Sequence, residues 1–295
     1  MPELPEVETI VRRLSETLPG RRIERAKILR ANIVRGTTRR FARAIEGRTV
    51  ERVRRRAKFI AAELDDGRVW VTHLRMSGRY LVVPGSRRNG RSPDRSREVR
   101  LGVSDAADLP EYTRAVFTLD DGTRLLYIDA RTLGGMELLS AREWEARSAG
   151  LGPEPLEPGF TPEVLESRLA ASRQPVKPFL LDQTRVAGIG NIYAVESLWR
   201  ARVSPRRRAK NVGPVRARRL HRAIVDVLEE ALGRSGTSLG STYLDYADGD
   251  GEPGAFYELL NVYDREGLPC PRCGTLIRRI VQAQRSTYYC PGCQR

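Results

Sequence analysis

"CPRCGTLIRRIVQAQRSTYYCPGC", residues 270–293, contains every cysteine of the 295-residue chain, in the spacing C-x2-C-x16-C-x2-C. Each x2 knuckle puts two thiolates on one side of a tight turn, and two such pairs close the tetrahedron of a structural zinc site. Two disulfides are the competing reading. The chain lacks the basic start and apolar run of about 7–15 residues of an export signal. It also lacks the roughly 18 apolar residues of a membrane span. The expected setting is therefore the cytosol, where thiols stay reduced. Four thiolates leave no open coordination position, so the expected metal is one structural Zn2+ on Cys270, Cys273, Cys290 and Cys293, with no catalytic part. Residues 270–295 also carry Arg272, Arg278, Arg279, Arg285 and Arg295 and no acid. A clamped hairpin with only positive charge suits a nucleic-acid backbone, and Arg285 near its tip is the expected phosphate contact.

Charge extends that reading to the whole chain. Lys and Arg number 52 against 37 Asp and Glu, a formal net charge of +15. The only lysines are Lys27, Lys58, Lys177 and Lys210. A GC-rich genome accounts for the choice of arginine, but it does not account for the excess of base over acid. That excess implies a polyanionic partner, nucleic acid first.

Moving toward the N-terminus, residues 235–256 read as a Gly/Asp/Ser-rich loop. Ahead of it Leu165, Leu169, Leu220, Ile224, Val227, Leu228 and Leu232 fall on helix faces. Inside this helical stretch, "KPFLLDQTRVAGIGNIYAVESLW" (residues 177–199) reads as two short helices joined at VAGIGN. Gly188 and Gly190 let the backbone approach a ligand, Asn191 is read as the cap of the next helix, and open N–H groups there form an anion site. With Lys177 upstream, the expected occupant is a DNA phosphate; a plain helix–turn–helix connection is the alternative. "LGPEPLEPGFTP", residues 151–162, holds four prolines and two glycines and is read as the domain boundary.

Residues 23–139 read mostly as strand. "KFIAAELDDGRVWVTHL" (58–74) and "RAVFTLDDGTRLLYIDA" (114–130) are each two apolar runs around an Asp-Asp-Gly turn, with "RYLVV" (79–83) between them. This implies a β-sandwich or flattened barrel. The basic stretch at 84–100 reads as a surface loop. At the start, "MPELPEVETI" opens an amphipathic helix in which Val7, Val11, Leu14 and Leu18 share a face and Pro5 occupies the first turn. That helix gives no reason for Pro2 or Glu3.

Taken in order, "PELPEVET", "RRRAKFI" (54–60), "HLRMSG" (73–78), "LGPEPL" (151–156), "KPFLLDQ", "GIGNIYAVESLW" and the cysteine tail resemble the formamidopyrimidine-DNA glycosylase and endonuclease VIII family. The opening is closer to the formamidopyrimidine branch. The resemblance spans Pro2 to Cys293 and implies an α+β fold. Residues 1–150 would be an N-terminal helix on a β-sandwich, 151–260 a helix–two-turn–helix domain and 261–295 a zinc-finger hairpin. Damaged double-stranded DNA would lie in the cleft between halves of a monomer.

The implied activity is a bifunctional DNA glycosylase and AP lyase for oxidised purines. Removal of Met1 would free the secondary amine of Pro2, the nucleophile. Glu3 would act as acid/base at the sugar ring oxygen, with Glu6 in support. The family pattern carried onto this chain assigns DNA contacts to Lys58, Lys177, Asn191 and Arg285. It assigns the void left by a flipped base to Met76, Arg131 and Leu133. The chain departs from the family in three places. "DARTLG" (129–134) puts Leu133 where Phe is usual. "EYTRAV" (111–116) replaces a His-Asp-His stretch and leaves Arg114 near the position of a phosphate-binding histidine, and the segment ahead of it is long. The loop at 238–251 matches the one that covers 8-oxoguanine. Two alternatives stand beside this reading. One is the same chemistry on oxidised pyrimidines or on bulky alkylated or cross-linked bases. The other is a zinc-ribbon DNA binder without chemistry, which would have no use for a free proline amine.

Overall fold

The computed structural model describes residues 2–85, 109–238, 250 and 252–295. Met1 and most of the loops read at 84–100 and 238–251 lie outside the described residues. The chain forms two compact units. The first takes Met1–Pro2, Glu6–Arg147 and Ser235–Ala255; the second takes Glu3–Pro5, Ser148–Arg234 and Phe256–Arg295.

Helix α1 (Leu4–Thr17) opens the chain. Its apolar face is the one the spacing gives: Val7, Val11, Leu14 and Leu18 are all buried. In the first unit β1 (Ile23–Ile28), β6 (Thr113–Leu119), β7 (Arg124–Asp129) and β5 (Gly78–Val83) form one antiparallel sheet in that order. A second antiparallel sheet runs β2 (Val50–Arg56), β3 (Phe59–Leu64), β4 (Arg68–His73), β8 (Gly135–Ser140). The β3–β4 and β6–β7 hairpins turn on the two Asp-Asp-Gly sequences, where Gly67 and Gly122 have φ of +76° and +81°. The sheets share an apolar core in which the rings of Trp70 and Phe117 stand 4.5 Å apart. Two helices interrupt or follow the strands. In α2 (Thr38–Ile45), Thr37 caps the N-terminus by accepting from the Arg40 N–H, and Phe41 and Ile45 are buried one turn apart. Eight residues are too few to show a helical period between strands, so sequence reading passes α2 by. Helix α3 (Ala141–Ala149) follows β8 and buries Trp144.

The second unit holds α4 (Pro162–Ala170), α5 (Val176–Leu181), α6 (Asn191–Arg200), α7 (Gly213–Leu232) and the hairpin of β9 (Arg278–Gln282) and β10 (Arg285–Tyr289). Every residue from Ile192 to Trp199 is buried, so α6 is the central helix of the unit. Leu220, Ile224, Val227 and Leu228 bury one face of α7. The proline-rich stretch at 151–162 is packed against this unit. The Gly152 N–H donates to the Gln183 carbonyl at 2.8 Å and the Ala187 N–H to the Pro153 carbonyl at 3.0 Å. Among the described residues no helix is long and apolar enough to cross a membrane.

Candidate active site

Glu3 sits at the start of α6. Its Oε2 accepts the Gly190 N–H at 2.7 Å and the Tyr193 N–H at 3.4 Å, and its Oε1 accepts the Ile192 N–H at 2.9 Å. The Leu4 N–H donates to the Gly188 carbonyl at 3.0 Å, so two successive residues stitch the N-terminus to the VAGIGN turn. The first N–H groups of a helix have no intrahelical partner and carry the positive end of its dipole, which favours a carboxylate there. The occupant of the expected anion site is therefore Glu3, only 1% exposed, and not a phosphate. Gly190 is the N-cap, and a Cβ on it would collide with the Glu3 carboxylate. The close approach expected of this glycine serves the chain's own N-terminus. Asn191 does not cap the helix. It is the first helical residue, and its Nδ2 donates to the Ser286 carbonyl at 3.0 Å. Pro2, next to Glu3, is buried.

Lys177 also departs from expectation. Read as a phosphate contact, it is fully buried, and its Nζ donates to Thr287 Oγ1 at 2.9 Å and to the Ser286 carbonyl at 3.4 Å. Burial, with Arg285 adding repulsion, pulls its pKa down to about 8. It braces β10 from inside the unit. Arg285 itself is exposed at the start of β10. It follows a two-residue turn in which Ala283 and Gln284 have φ of +47° and +58°. Such turns favour Asn-Gly, and two ordinary residues there cost about 1–2 kcal/mol each. A second buried carboxylate, Glu196 on α6, receives the backbone N–H groups of Asn261, Val262 and Tyr263 and fixes the chain leading into the hairpin.

The four cysteine sulfurs lie within 4.8 Å of one another. Cys270 and Cys293 are 3.9 Å apart and Cys273 and Cys290 3.5 Å, well beyond the roughly 2.05 Å of a disulfide. A tetrahedron with Zn–S bonds of about 2.3 Å has edges near 3.8 Å, so the donor set fits one structural zinc. The indole N–H of Trp199 donates to Cys270 Sγ at 3.4 Å, and the Arg272 guanidinium lies 4.1 Å above that ring.

In the first unit, Glu6 is buried and accepts the Thr237 N–H at 2.8 Å, at the base of the loop read over 238–251. Lys58 is 5% exposed, in the turn between β2 and β3. His73 packs edge-on against Phe59, and burial, then Arg75 and Lys58, lower its pKa to about 4, so it is neutral at pH 7. Met76 is half-buried in the turn between β4 and β5; Arg131 and Leu133 are exposed between β7 and β8. Arg114 is drawn into the protein: its Nε donates to the Asp129 carbonyl at 2.8 Å.

Comparison with known proteins shows the family of the chain. The formamidopyrimidine-DNA glycosylase N-terminal domain matches residues 1–136. The H2TH domain of the same enzymes matches 151–242, and a zinc finger found in FPG and IleRS matches 267–295. The chain belongs to the formamidopyrimidine-DNA glycosylase family. It is 43% identical to the formamidopyrimidine-DNA glycosylase of Chloroflexus aurantiacus over all of this chain and 98% of that one. The crystal structure of MutM (Fpg) from Thermus thermophilus superposes with a TM-score of 0.82 at 36% identity, covering 99% of this chain and 98% of that one. The Lactococcus lactis Fpg in complex with abasic-site DNA gives 0.84 at 29% identity over 99% of both chains.

Sequence reading overlooked Glu196 altogether, and it gave Gly190 an outside ligand to face where the structure gives it Glu3. Motif residues announce themselves by type and spacing. A supporting carboxylate such as Glu196 looks, in the sequence, like any surface acid.

Proposed function

We propose that this chain is a DNA glycosylase and AP lyase of base excision repair that removes oxidised purines, 8-oxoguanine and formamidopyrimidines, from double-stranded DNA. It acts as a monomer in the bacterial cytosol and nucleoid. With Met1 removed, Pro2 offers a secondary α-amine. Such groups have pKa values of about 7.7–8.0, so a useful fraction is unprotonated near neutrality. The amine attacks C1′ of the damaged nucleotide; the bond from C1′ to the base breaks and the base leaves. Glu3, held as the carboxylate, takes the proton that the attacking amine sheds and passes it to the ring oxygen as the sugar opens to the iminium. The iminium acidifies the C2′–H, the Glu3 carboxylate or water takes that proton, the 3′ phosphate leaves as the C2′–C3′ double bond forms, and a second (δ) elimination expels the 5′ phosphate. Lys58 and Arg285 hold phosphates, and Asn191 with Lys177 holds β10, on which Arg285 stands. Met76, Arg131 and Leu133 fill the gap left by the everted nucleotide. Zinc keeps the hairpin folded and takes no part in the bond changes.

One observation carries the reading. The carboxylate adjacent to Pro2 is buried and bound by three backbone N–H groups of the α6 turn, which supports an acid/base role for Glu3 next to the Pro2 amine. The test is borohydride trapping on a duplex with 8-oxoguanine opposite cytosine and on an abasic duplex, with mass spectrometry to locate the adduct. An adduct at Pro2 on both DNAs is the expected result. Trapping on abasic DNA alone keeps the lyase and moves the substrate to oxidised pyrimidines or bulkier bases. No adduct on either, from protein shown to lack Met1, removes the enzyme reading.

A further inference from the structure

Two turns of the first unit carry the residues assigned to the flipped-base void. Met76 stands between β4 and β5, and Arg131 and Leu133 stand between β7 and β8. One side chain joins the turns. Asp129 is 0% exposed. Its Oδ1 accepts the Ser77 hydroxyl at 2.5 Å, and its Oδ2 accepts the Gly134 N–H at 2.8 Å and, more distantly, the Tyr127 hydroxyl at 3.5 Å. The Ser77 oxygen in turn accepts the Arg131 N–H at 3.1 Å, so serine from one turn and backbone from the other meet through it. A Cβ on Gly134 would collide with the Tyr127 hydroxyl.

Two physical points say that this cluster does more than fill space. A buried carboxylate is costly unless fully bonded, and similar volume in apolar side chains usually serves stability as well or better. Among the described residues no cation pairs with the Asp129 carboxylate; Arg114 binds its backbone carbonyl instead. In addition, Arg75 and Thr132 hold φ of +56° and +53°. Thr is β-branched and rarely adopts such values, so the surroundings must impose them. A strained turn that ends in an exposed apolar residue, Leu133 at 56% exposure, needs a rigid base to resist being pushed back by stacked DNA.

We propose that Asp129 and Ser77 are positioning residues that lock the two turns together, so that Met76, Arg131 and Leu133 enter the DNA as one preset wedge. The proposal rests on the reading of those three residues given above. The wedge is needed only where a base must leave a duplex. Excision from a duplex and trapping on a single-stranded abasic oligonucleotide therefore separate its effect from the chemistry at Pro2.

The experiment compares wild type with Ser77→Ala, Ser77→Thr and Asp129→Asn. It uses single-turnover excision of 8-oxoguanine from duplex, borohydride trapping on single-stranded abasic DNA, and fluorescence of 2-aminopurine beside the lesion to follow unstacking. Loss of a buried charged hydrogen bond predicts an excision rate about 10- to 100-fold lower for Ser77→Ala and Asp129→Asn, with a matching loss of the fluorescence change. The single-strand reaction should fall by a factor roughly ten times smaller, and Ser77→Thr, which keeps the hydroxyl, should recover the duplex rate. Equal losses on both DNAs, with a lowered melting temperature, would mean general damage to the sheet and overturn the proposal. An unchanged duplex rate in Ser77→Ala and Asp129→Asn would do the same. Wild-type protein that traps neither DNA fails at the proposed function itself, an outcome distinct from either.

Discussion

The zinc hairpin and the start of α6 belong to the same unit, and each depends on a few buried polar atoms, yet they are specified at opposite ranges. All four thiols of the hairpin lie between residues 270 and 293. The α6 turn is completed by Glu3, 187 residues away from the Gly190 N–H it accepts. A local ligand set is visible as spacing and should fail as a module. A distant cap is invisible as spacing, and because it is adjacent to Pro2, its failure should reach the nucleophile proposed above.

Removing the metal breaks the comparison on its local side and should have the largest effect. Zinc binding in isolated fingers is worth about 10–16 kcal/mol at neutral pH, which is also folding free energy. Stripping the protein with a strong chelator should expose 261–295 to protease and abolish DNA binding, and it should leave the far-ultraviolet signal of the sandwich largely intact. A hairpin that still resists protease after chelation would mean that Ile277 and Tyr288, packed with Val195, Trp199 and Val262, suffice without the thiolates.

Gly190→Ala tests the distant side. The new Cβ has no room beside the Glu3 carboxylate, and overpacking of this kind costs about 1–3 kcal/mol. Stability should fall by that amount, and single-turnover excision should fall further, because a displaced acid/base loses much of the roughly 10²–10⁴-fold that such a group supplies. Equal, small losses in both would show that the turn yields without moving Glu3.

The same contrast decides what the sequence could tell. The cysteine spacing, the two Asp-Asp-Gly hairpins and the buried face of α1 are local patterns, and each stands in the structure where it was read. The anion site before α6 was legible as a property of a helix start. Its occupant was not, because nothing in "PELPEVET" marks Glu3 as a cap for a helix that begins at Asn191. Lys177 misled for a similar reason. A lysine two residues before Phe179 in a basic chain looks like a surface cation, and only the packing of β10 reveals a buried ammonium bonded to Thr287. Helix α2 was missed because its eight residues sit among strands.

Lys177 and Arg285 give the finest version of the comparison, since both were read as phosphate contacts and only one is exposed. Lys177→Met removes a charged donor from Thr287 and the Ser286 carbonyl, and about 1.5–3 kcal/mol of stability should go with it. That loss should vary with pH in a defined direction. The fold lowers the Lys177 pKa from 10.5 to about 8, so below pH 8 both native and unfolded chains hold the proton and the native charge carries its full burial penalty. Between pH 8 and 10.5 the native amine is neutral and the penalty lifts, so wild type should gain on Lys177→Met across that window. Arg285→Ala should not lower the melting temperature at any pH, because it removes only a charge that repels Lys177. It should weaken DNA binding by about 1–2 kcal/mol and flatten the salt dependence by roughly one phosphate contact. An Arg285→Ala variant that melts lower and keeps its salt slope would place the arginine with Lys177 as part of the brace and leave the hairpin's phosphate contact to Arg278 or Arg279, the other arginines exposed on its two strands.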